Sequence, residues 1–266
     1  MLTDLADKLT DIREGRLTEA QVYAGSKDSG IRLMPRPNGG LICPICGTQA
    51  ARFLPFGLNG RRNARCPGCG SVERHRYLWL FLLRSGLLKP GIRILHVAAE
   101  AGIRARLEEI TPHYLAIDAF NAGADRRMDL TDLDLPDRSF DLILCSHVLE
   151  HVEDDRKAIS EMARVLKTSG RLIVMVPQDM SLARTYEDFS ITDPEARHRA
   201  FGHPYHVRVC GADYADRLRD GGMAVTSHFS KALSGHVRRQ FRLNKAWLHE
   251  AQLRGAKLSA TATEDQ

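Results

Sequence analysis

The chain has 266 residues, of which 43% are hydrophobic and 27% are charged, and its formal net charge is +5. This length suits one sizeable hydrophobic core with a small additional module. It has no apolar run of about 18 residues, so a membrane-spanning helix is excluded by the usual criterion. The start of the sequence, Met1–Asp4, lacks the features of a signal peptide, so we expect a cytoplasmic protein with reduced cysteines.

The first 40 residues are predicted to form a short amphipathic helix followed by a linker. Leu5, Leu9 and Ile12 have the spacing of one helix face. Residues 22–40 contain four glycines and two prolines, a composition typical of linkers.

Four cysteines follow in two identical Cys-Pro-x-Cys-Gly segments, Cys43–Gly47 and Cys66–Gly70. Their spacing is that of a zinc ribbon, in which each segment turns tightly and directs two thiolates at one ion. A site with four protein ligands has no open position, so the expected zinc is structural. Two redox pairs or two disulfides are the alternatives. The ribbon is predicted over residues 41–74. Its expected metal ligands are Cys43, Cys46, Cys66 and Cys69.

Two segments carry most of the positive charge. Residues 52–76 contain six arginines and one glutamate, and residues 231–257 contain seven lysines and arginines and one glutamate. Such segments suit contact with an anionic partner, for example RNA or a phosphorylated acceptor. Two solvated basic faces explain the same composition, and the sequence leaves both interpretations open.

A connecting helix is predicted over residues 75–90, and strands alternate with helices after it. Strands are predicted at 92–97, 114–118, 126–130, 140–146, 170–176 and 224–229, and helices at 102–110, 154–167 and 211–221. This alternation predicts an α/β fold over residues 91–232: a doubly wound, Rossmann-like, mostly parallel sheet with helices on both faces. Residues 181–206 lack periodicity and are expected to form a functional lid. Residues 233–266 are predicted to be a basic C-terminal extension with a disordered end.

Polar residues follow the predicted strands at the edge where ligands bind to open parallel sheets, beyond the carboxyl ends of the strands. An acidic side chain after the second strand, here Asp118, can accept hydrogen bonds from both hydroxyl groups of a ribose. Ordinary capping of strand ends is the alternative for Asp118 and Asp129.

Four segments of this region form a characteristic series: Met128–Thr131, Leu135–Ile143, His147–Val152 and Arg164–Gly170. In order and spacing they resemble the class I S-adenosylmethionine-dependent methyltransferases and their type 11 group. The four-cysteine ribbon, followed by Ser71–Arg76 and Leu95–Ala98, is similar to a zinc-ribbon-bearing branch of that group. The resemblance covers residues 91–229 and implies methyl transfer with S-adenosylmethionine as cofactor.

The resemblance also implies which residues hold the cofactor. In the family, the position of Asp129 contacts the adenine amino group, and the backbone N–H of the next residue, here Leu130, contacts a ring nitrogen. The expected cofactor-binding residues are His96, Ala98, Glu100, Gly102, Asp118, Asp129, Leu130 and Ser146.

The first loop departs from the Asp-x-Gly-x-Gly-x-Gly pattern of the family. His96 replaces the acid, Ala98 and Glu100 replace two glycines, and Gly102 remains. Missing glycines restrict how closely the backbone approaches a ligand. Glu100, however, restores a carboxylate that can pair with the ammonium or sulfonium group of the cofactor. A scaffold that no longer binds the cofactor is the alternative.

His147 and His206 are the candidate catalytic residues. His147 suits a general base for an acceptor hydroxyl or amine, and His206, together with Arg208, suits contact with the acceptor. Hydrogen bonds that fix a loop are the alternative for His206 and Arg208. Because a sulfonium already activates its methyl group, orientation and exclusion of water do most of the work, and the sequence identifies no required catalytic residue.

The predicted function is therefore methyl transfer to an unidentified acceptor, with a small molecule or a saccharide intermediate favoured. One alternative is an rRNA or tRNA methyltransferase that binds RNA through the ribbon, since certain ribosomal RNA guanine methyltransferases place such a ribbon before the same kind of domain. RNA affinity that falls steeply with salt would identify it. A non-catalytic zinc-ribbon binding protein is the other alternative.

Overall fold

The computed structural model describes residues 40–58 and 60–255. The predicted N-terminal helix, nearly all of the linker and the C-terminal end from Ser259 lie outside the described residues. The strands are β1 (Leu41–Ile42), β2 (Gln49–Ala50), β3 (Leu54–Phe56), β4 (Arg61–Arg65), β5 (Ile94–Val97), β6 (Tyr114–Asp118), β7 (Arg126–Arg127), β8 (Phe140–Ser146), β9 (Leu166–Met175), β10 (Tyr186–Glu187), β11 (Arg208–Val209), β12 (Met223–Phe229) and β13 (Trp247–Leu253). The α-helices are α1 (Glu73–Ser85), α2 (Ala101–Ile110), α3 (Asp155–Val165), α4 (Pro194–Phe201), α5 (Tyr214–Asp220) and α6 (Gly235–Gln240).

A sheet of seven strands lies at the centre, in the order β12-β13-β9-β8-β5-β6-β7. Strand β13 is antiparallel to both of its neighbours, and the other pairs are parallel. From β5 the chain continues to β6 and β7 on one side, and then to β8 and β9 on the other. The strand order therefore reverses between β5 and β8, which places a ligand crevice at the carboxyl ends of these two strands.

Strand β13 was not predicted, and it moves the boundary of the α/β domain. It lies inside the predicted C-terminal extension, yet it pairs with β12 along seven residues and separates β12 from β9. The domain therefore does not end at residue 232. Strand β13 was missed because it contains polar side chains that are untypical of a sheet interior. Its buried His249 is accommodated there by hydrogen bonds with Ser227 and Gln178, both 2.9 Å long.

Other differences from the predicted elements occur along the chain, and the largest is that helix α4 and strand β10 lie within residues 181–206, where no element was predicted. Helix α1 begins at Glu73 and ends at Ser85, before the predicted end, and is followed by Gly86 in a left-handed conformation (φ 66°). Strand β7 has two residues where five were predicted. The predicted helix at 154–167 ends at Val165, because β9 begins at Leu166.

The ribbon consists of two hairpins, β1–β2 and β3–β4. Its two cysteine segments form equivalent turns: the amide of Gly47 donates to the Cys43 carbonyl at 2.8 Å, and that of Gly70 to the Cys66 carbonyl at 3.0 Å. Both glycines have φ above 70° (74° and 71°), which only glycine adopts without strain. The glycine after each second cysteine is thus required by the turn.

The ribbon and the sheet share one hydrophobic cluster. Alternation along the strands directs one set of side chains towards α1, α2 and the ribbon and the other set towards α3 and α5. The shared cluster contains Cys43, Ile45, Phe53 and Cys66 of the ribbon, Tyr77, Leu78 and Leu82 of α1, and Ile94, Leu142 and Leu144 of the sheet. Helix α1 thus packs on the ribbon and on the sheet at once. No helix within the described ranges has the length and hydrophobicity to cross a bilayer.

Candidate functional site

The crevice at the end of β5 contains a buried histidine–carboxylate pair. His96 is fully buried, and its Nε2 lies 2.8 Å from Oε2 of Glu100, the residue that caps the N-terminus of α2. Its Nδ1 lies 2.9 Å from the hydroxyl of Tyr114. Burial by itself raises the pKa of Glu100. The hydrogen bond with His96 and the charge of His96 together have a larger opposite effect, so the pKa is lowered to about 2. Glu100 is therefore an ionised carboxylate at neutral pH.

A second buried carboxylate lies beyond the end of β8. Glu150 is 1% exposed, and its Oε1 lies 3.2 Å from Nδ1 of His147. Burial raises the pKa of Glu150, whereas the hydrogen bond with His147 lowers it, with a net decrease. His147 has a left-handed conformation (φ 55°), which is rare outside glycine and is often found at functional sites.

The start of α1 reaches the same crevice, which was not predicted. Nε2 of His75 lies 3.7 Å from Oε1 of Glu100, within ion-pair distance but beyond hydrogen-bond distance. Burial lowers the pKa of the neighbouring Arg74, while the charges of Glu100 and Glu150 oppose that decrease. The sequence Arg74-His75-Arg76 was part of the family resemblance, yet only the packing of α1 reveals the position of these side chains.

Five polar side-chain atoms in this crevice are buried without a hydrogen-bond partner in the described part of the chain. They are Arg74 Nε, His75 Nε2, Glu100 Oε1, Ser146 Oγ and Glu150 Oε2. The Ser146 hydroxyl is close enough to contribute to the lowered pKa of Glu100, although it makes no hydrogen bond of ordinary geometry. Buried polar groups without partners are uncommon and costly, so this group of atoms indicates a polar ligand.

The predicted ribose and adenine contacts lie at the ends of β6 and β7. Oδ1 of Asp118 accepts hydrogen bonds from the amides of Phe120 and Asn121 (2.8 and 2.9 Å). Oδ1 of Asp129 accepts from the amide and the hydroxyl of Thr131, both at 2.8 Å. Each carboxylate thus caps its own loop with one oxygen, and its other oxygen has no hydrogen bond among residues 40–58 and 60–255. The backbone amide of Leu130 likewise donates no hydrogen bond within these ranges.

The altered first loop keeps the backbone shape of a glycine position. Ala98 has φ 50°, in the left-handed region that favours glycine. Gly102 lies in the first turn of α2, and a side chain on it would point at Cys69 and Ile45 of the ribbon, 3.4 Å away. Gly102 therefore faces the ribbon, and only its backbone remains available for the predicted cofactor contact.

A cavity of about 490 Å³ adjoins this crevice. Its walls come from the ribbon and α1, the ends of β8 and β9, the lid and the segment before β13. They include Arg61, Glu73, Arg74, His147, Gln178, Asp179, Phe201, His206, Asn244, Lys245 and Trp247. The two basic segments of the sequence, far apart along the chain, thus meet at one cavity.

The two residues expected to contact the acceptor, His206 and Arg208, have different environments in the structure. His206 lines the cavity, and its ring centre lies 4.7 Å from that of His151. Burial lowers the pKa of His206 to about 4, so this side chain is neutral at pH 7 and a weak base. Arg208 is fully buried and donates to the carbonyls of Leu149 (2.6 Å) and Glu153 (2.8 Å), which agrees with the loop-fixing alternative.

The four ribbon cysteines form a compact cluster of free thiols. The sulfur of Cys43 lies 3.6 Å from that of Cys69, and the sulfur of Cys46 lies 3.6 Å from that of Cys66. All four are free thiols in the structure, and these two separations are well beyond the sulfur–sulfur distance of a disulfide, about 2.05 Å. Tetrahedral zinc with bonds of about 2.3 Å places sulfur atoms about 3.8 Å apart, so the cluster fits that ion.

This sheet order, with one antiparallel strand and a polar crevice where the order reverses, is the fold of the class I S-adenosylmethionine-dependent methyltransferases. A family model described as "Methyltransferase domain" matches residues 67–174, from the second cysteine segment to β9. Residues 67–174 are therefore similar in sequence to that methyltransferase domain, and the sheet has the corresponding Rossmann-like fold.

Individual relatives match parts of the chain. Demethylmenaquinone methyltransferase from Mycolicibacterium paratuberculosis is 32% identical over 133 residues, 45% of this chain and 57% of the relative. Ajmaline N-methyltransferase from Rauvolfia serpentina is 33% identical over 97 residues, 33% of each chain. The crystal structure of YcgJ from Bacillus subtilis covers 68% of this chain and 100% of its own, at 20% identity and a TM-score of 0.48. The chain thus spans between about a third and three fifths of the length of these two curated relatives.

Proposed function

We propose that the protein transfers a methyl group from S-adenosylmethionine to a small acceptor that carries an anionic group. The observation that carries this proposal is the set of buried, unpartnered polar atoms where the strand order reverses. A domain that had lost its ligand would gain stability if these atoms were replaced by apolar groups, because each unsatisfied buried group costs about 1–3 kcal/mol.

Different residues of the crevice bind different parts of the cofactor. The free oxygen of Asp118 accepts from the ribose hydroxyls, and Asp129 and the Leu130 amide bind the adenine edge. Glu100 and Glu150 supply negative charge close to the reacting group. When bound, S-adenosylmethionine supplies a methyl group that is already activated by its sulfonium charge.

His147 is the better of the two candidate bases. Its Nδ1 faces Glu150 at 3.2 Å, so the proton resides on that nitrogen and Nε2 keeps the basic lone pair. A proton from the acceptor would move to Nε2, and Glu150 would stabilise the resulting charge. His206, with a pKa of about 4, is a poor proton acceptor at neutral pH and serves as a binding contact instead.

The charge and volume of the cavity support the choice of acceptor. Lys245 and Arg61 contribute positive charge, and Arg61 is partly neutralised by Glu73 at 3.2 Å. A cavity of about 490 Å³ falls within the range of small-molecule sites, about 300–1,000 Å³. These features favour a small anionic acceptor over a long RNA strand.

We also propose that the four-cysteine cluster binds a structural zinc ion. Ser71 supports two of the ligands, since its hydroxyl lies 3.2 Å from the sulfur atoms of both Cys43 and Cys69. The Thr48 hydroxyl lies 3.0 Å from the Cys46 sulfur. Such hydrogen bonds stabilise thiolates and orient them towards a metal.

Asp118→Asn is expected to weaken the binding of S-adenosylhomocysteine by roughly 10- to 100-fold, the loss typical of hydrogen bonds to a charged group. Asparagine keeps the oxygen that caps the loop, but it places an amide donor where the ribose hydroxyls need an acceptor. Calorimetric titration measures the change. The control is Asp134→Asn, because Asp134 is 93% exposed and pairs with Arg126. Equal affinities for Asp118→Asn and the wild type would refute the ribose assignment.

Because the proposed acceptor is anionic, it is expected to bind to an anion-exchange column. The test incubates the protein and S-adenosylmethionine, labelled in the methyl group, with fractions of a metabolite extract separated by charge. Label should enter the anionic fractions, and Lys245→Ala should slow that incorporation. Label confined to neutral fractions would contradict the acceptor class. Binding of S-adenosylhomocysteine without any labelled product would favour a non-catalytic protein.

A further inference from the structure

Donors and acceptors occupy different walls of the crevice. The unpartnered donor Arg74 Nε and the unpartnered His75 Nε2 come from α1, the helix that follows the ribbon. The unpartnered acceptors Glu100 Oε1 and Glu150 Oε2 come from the loops after β5 and β8. A ligand that satisfies both walls must present an anionic acceptor and a cationic donor within a few ångströms of each other.

The tautomer of His75 makes it a donor towards the crevice. Its Nδ1 lies 3.4 Å from the amide of Val72 and accepts that hydrogen bond at the start of α1. In the neutral ring the proton then resides on Nε2, the atom that faces Glu100. Arg74 and His75 thus offer two N–H groups, to which Ser146 adds a hydroxyl.

We propose that α1 completes a binding subsite for an α-amino-acid zwitterion. Arg74 and His75 bind its carboxylate, and Glu100 and Glu150 bind its ammonium group. This inference rests on the proposed function, since S-adenosylmethionine and S-adenosylhomocysteine carry such a group at the end away from the ribose. The ribose end lies at Asp118 on β6, the neighbour of β5, so one extended ligand spans both positions.

The cysteine cluster thereby acts on cofactor binding through α1. Arg76, fully buried one residue after His75, donates to the carbonyls of Ala64 (3.0 Å) and Ser71 (2.8 Å) in the ribbon. It also donates to the carbonyl of Phe241 at 2.7 Å. The first turn of α1 is thus bonded to the backbone next to Cys66 and Cys69, and its position depends on the folded ribbon.

The test compares two ligands that differ in the zwitterion. S-adenosylhomocysteine contains it, whereas methylthioadenosine has the same adenosine and sulfur but lacks the amino-acid group. Arg74→Met keeps the aliphatic stem of the side chain. It should lower the affinity for S-adenosylhomocysteine by roughly 10- to 100-fold and change the affinity for methylthioadenosine by less than about threefold. Arg62→Met is the matched control, because Arg62 is an exposed arginine on the adjoining ribbon. Calorimetry gives the affinities, and thermal unfolding verifies that each variant is folded.

His75→Asn provides a second, independent variant. Asparagine retains an acceptor for the Val72 amide and removes the N–H that faces Glu100, so the same selective loss is expected, to a smaller extent. Equal weakening of both ligands by Arg74→Met would overturn the proposal, since it would mean that Arg74 only shapes the site. Unchanged binding of S-adenosylhomocysteine by both variants would overturn it as well. If the wild-type protein bound neither ligand, the proposed function itself would fail, and this inference with it.

Discussion

A Cys66→Ser variant is expected to lose its bound metal, to unfold the ribbon and to lose binding of S-adenosylhomocysteine. Structural zinc contributes on the order of 10 kcal/mol to the folding of small modules, far more than the small β-hairpins of the ribbon provide. Cys66 is also buried within the cluster that the ribbon shares with Tyr77 of α1 and Ile94 of the sheet. Loss of the metal should therefore displace α1 and, with it, Arg74 and His75.

Three measurements test this expectation. Elemental analysis gives the metal content per chain, hydrogen exchange reports protection in residues 41–85, and calorimetry gives the affinity for S-adenosylhomocysteine. Cys145→Ala is the matched control, because Cys145 is a buried cysteine of the opposite hydrophobic cluster and should leave the metal in place. A Cys66→Ser protein that kept exchange protection in the ribbon without metal would show that the fold does not depend on zinc.

Arg208→Met is expected to lower the free energy of unfolding by about 3–5 kcal/mol, the usual cost of breaking a buried charge network. The Arg208 side chain is fully buried and pairs with Glu187 at 3.0 Å. Its remaining donors bind the carbonyls of Leu149, Val152 and Glu153, between β8 and α3. Methionine leaves these carbonyls without their donor and leaves Glu187 with Arg217, at 3.0 Å, as its remaining partner.

Denaturant unfolding measures this loss, and limited proteolysis locates it. The matched control is Arg199→Met, since the Arg199 side chain is 72% exposed and should change stability by less than about 0.5 kcal/mol. Cleavage should increase within the lid, residues 181–206, in Arg208→Met alone. If Arg208→Met had wild-type stability but bound the acceptor more weakly, the result would instead support a direct contact between Arg208 and the acceptor.

The ribbon has a larger role than its sequence indicates. Its spacing predicts an accessory structural module, but in the structure it packs on α2 and determines the position of α1. Nε of Arg106 on α2 donates to the Ile45 carbonyl of the ribbon at 2.8 Å. Two sides of the proposed amino-acid subsite, α1 and the start of α2, therefore depend on contacts with the ribbon.

Much of the fold could be predicted because its patterns are local. The strand at 140–146 is almost wholly apolar and was predicted at its observed bounds, and the two glycine turns follow from five-residue segments. Strand β13 could not be predicted in this way. Its His249 and Glu250 are tolerated in the sheet only because Ser227, Gln178, His228 and Arg171 lie beside them.

The sequence by itself determined the chemistry that depends on neighbours along the chain: a four-cysteine cluster, an alternating α/β domain, and acidic residues at the ends of successive strands. The tertiary structure alone decided which distant groups meet. It placed Arg74 and His75 of α1 opposite Glu100 and Glu150 and brought the two basic segments to one cavity. It also buried Arg208 against the backbone between β8 and α3. The reason is physical: periodicity and turn residues act over a few positions, whereas the burial of a charge is decided by the packing of elements far apart in sequence.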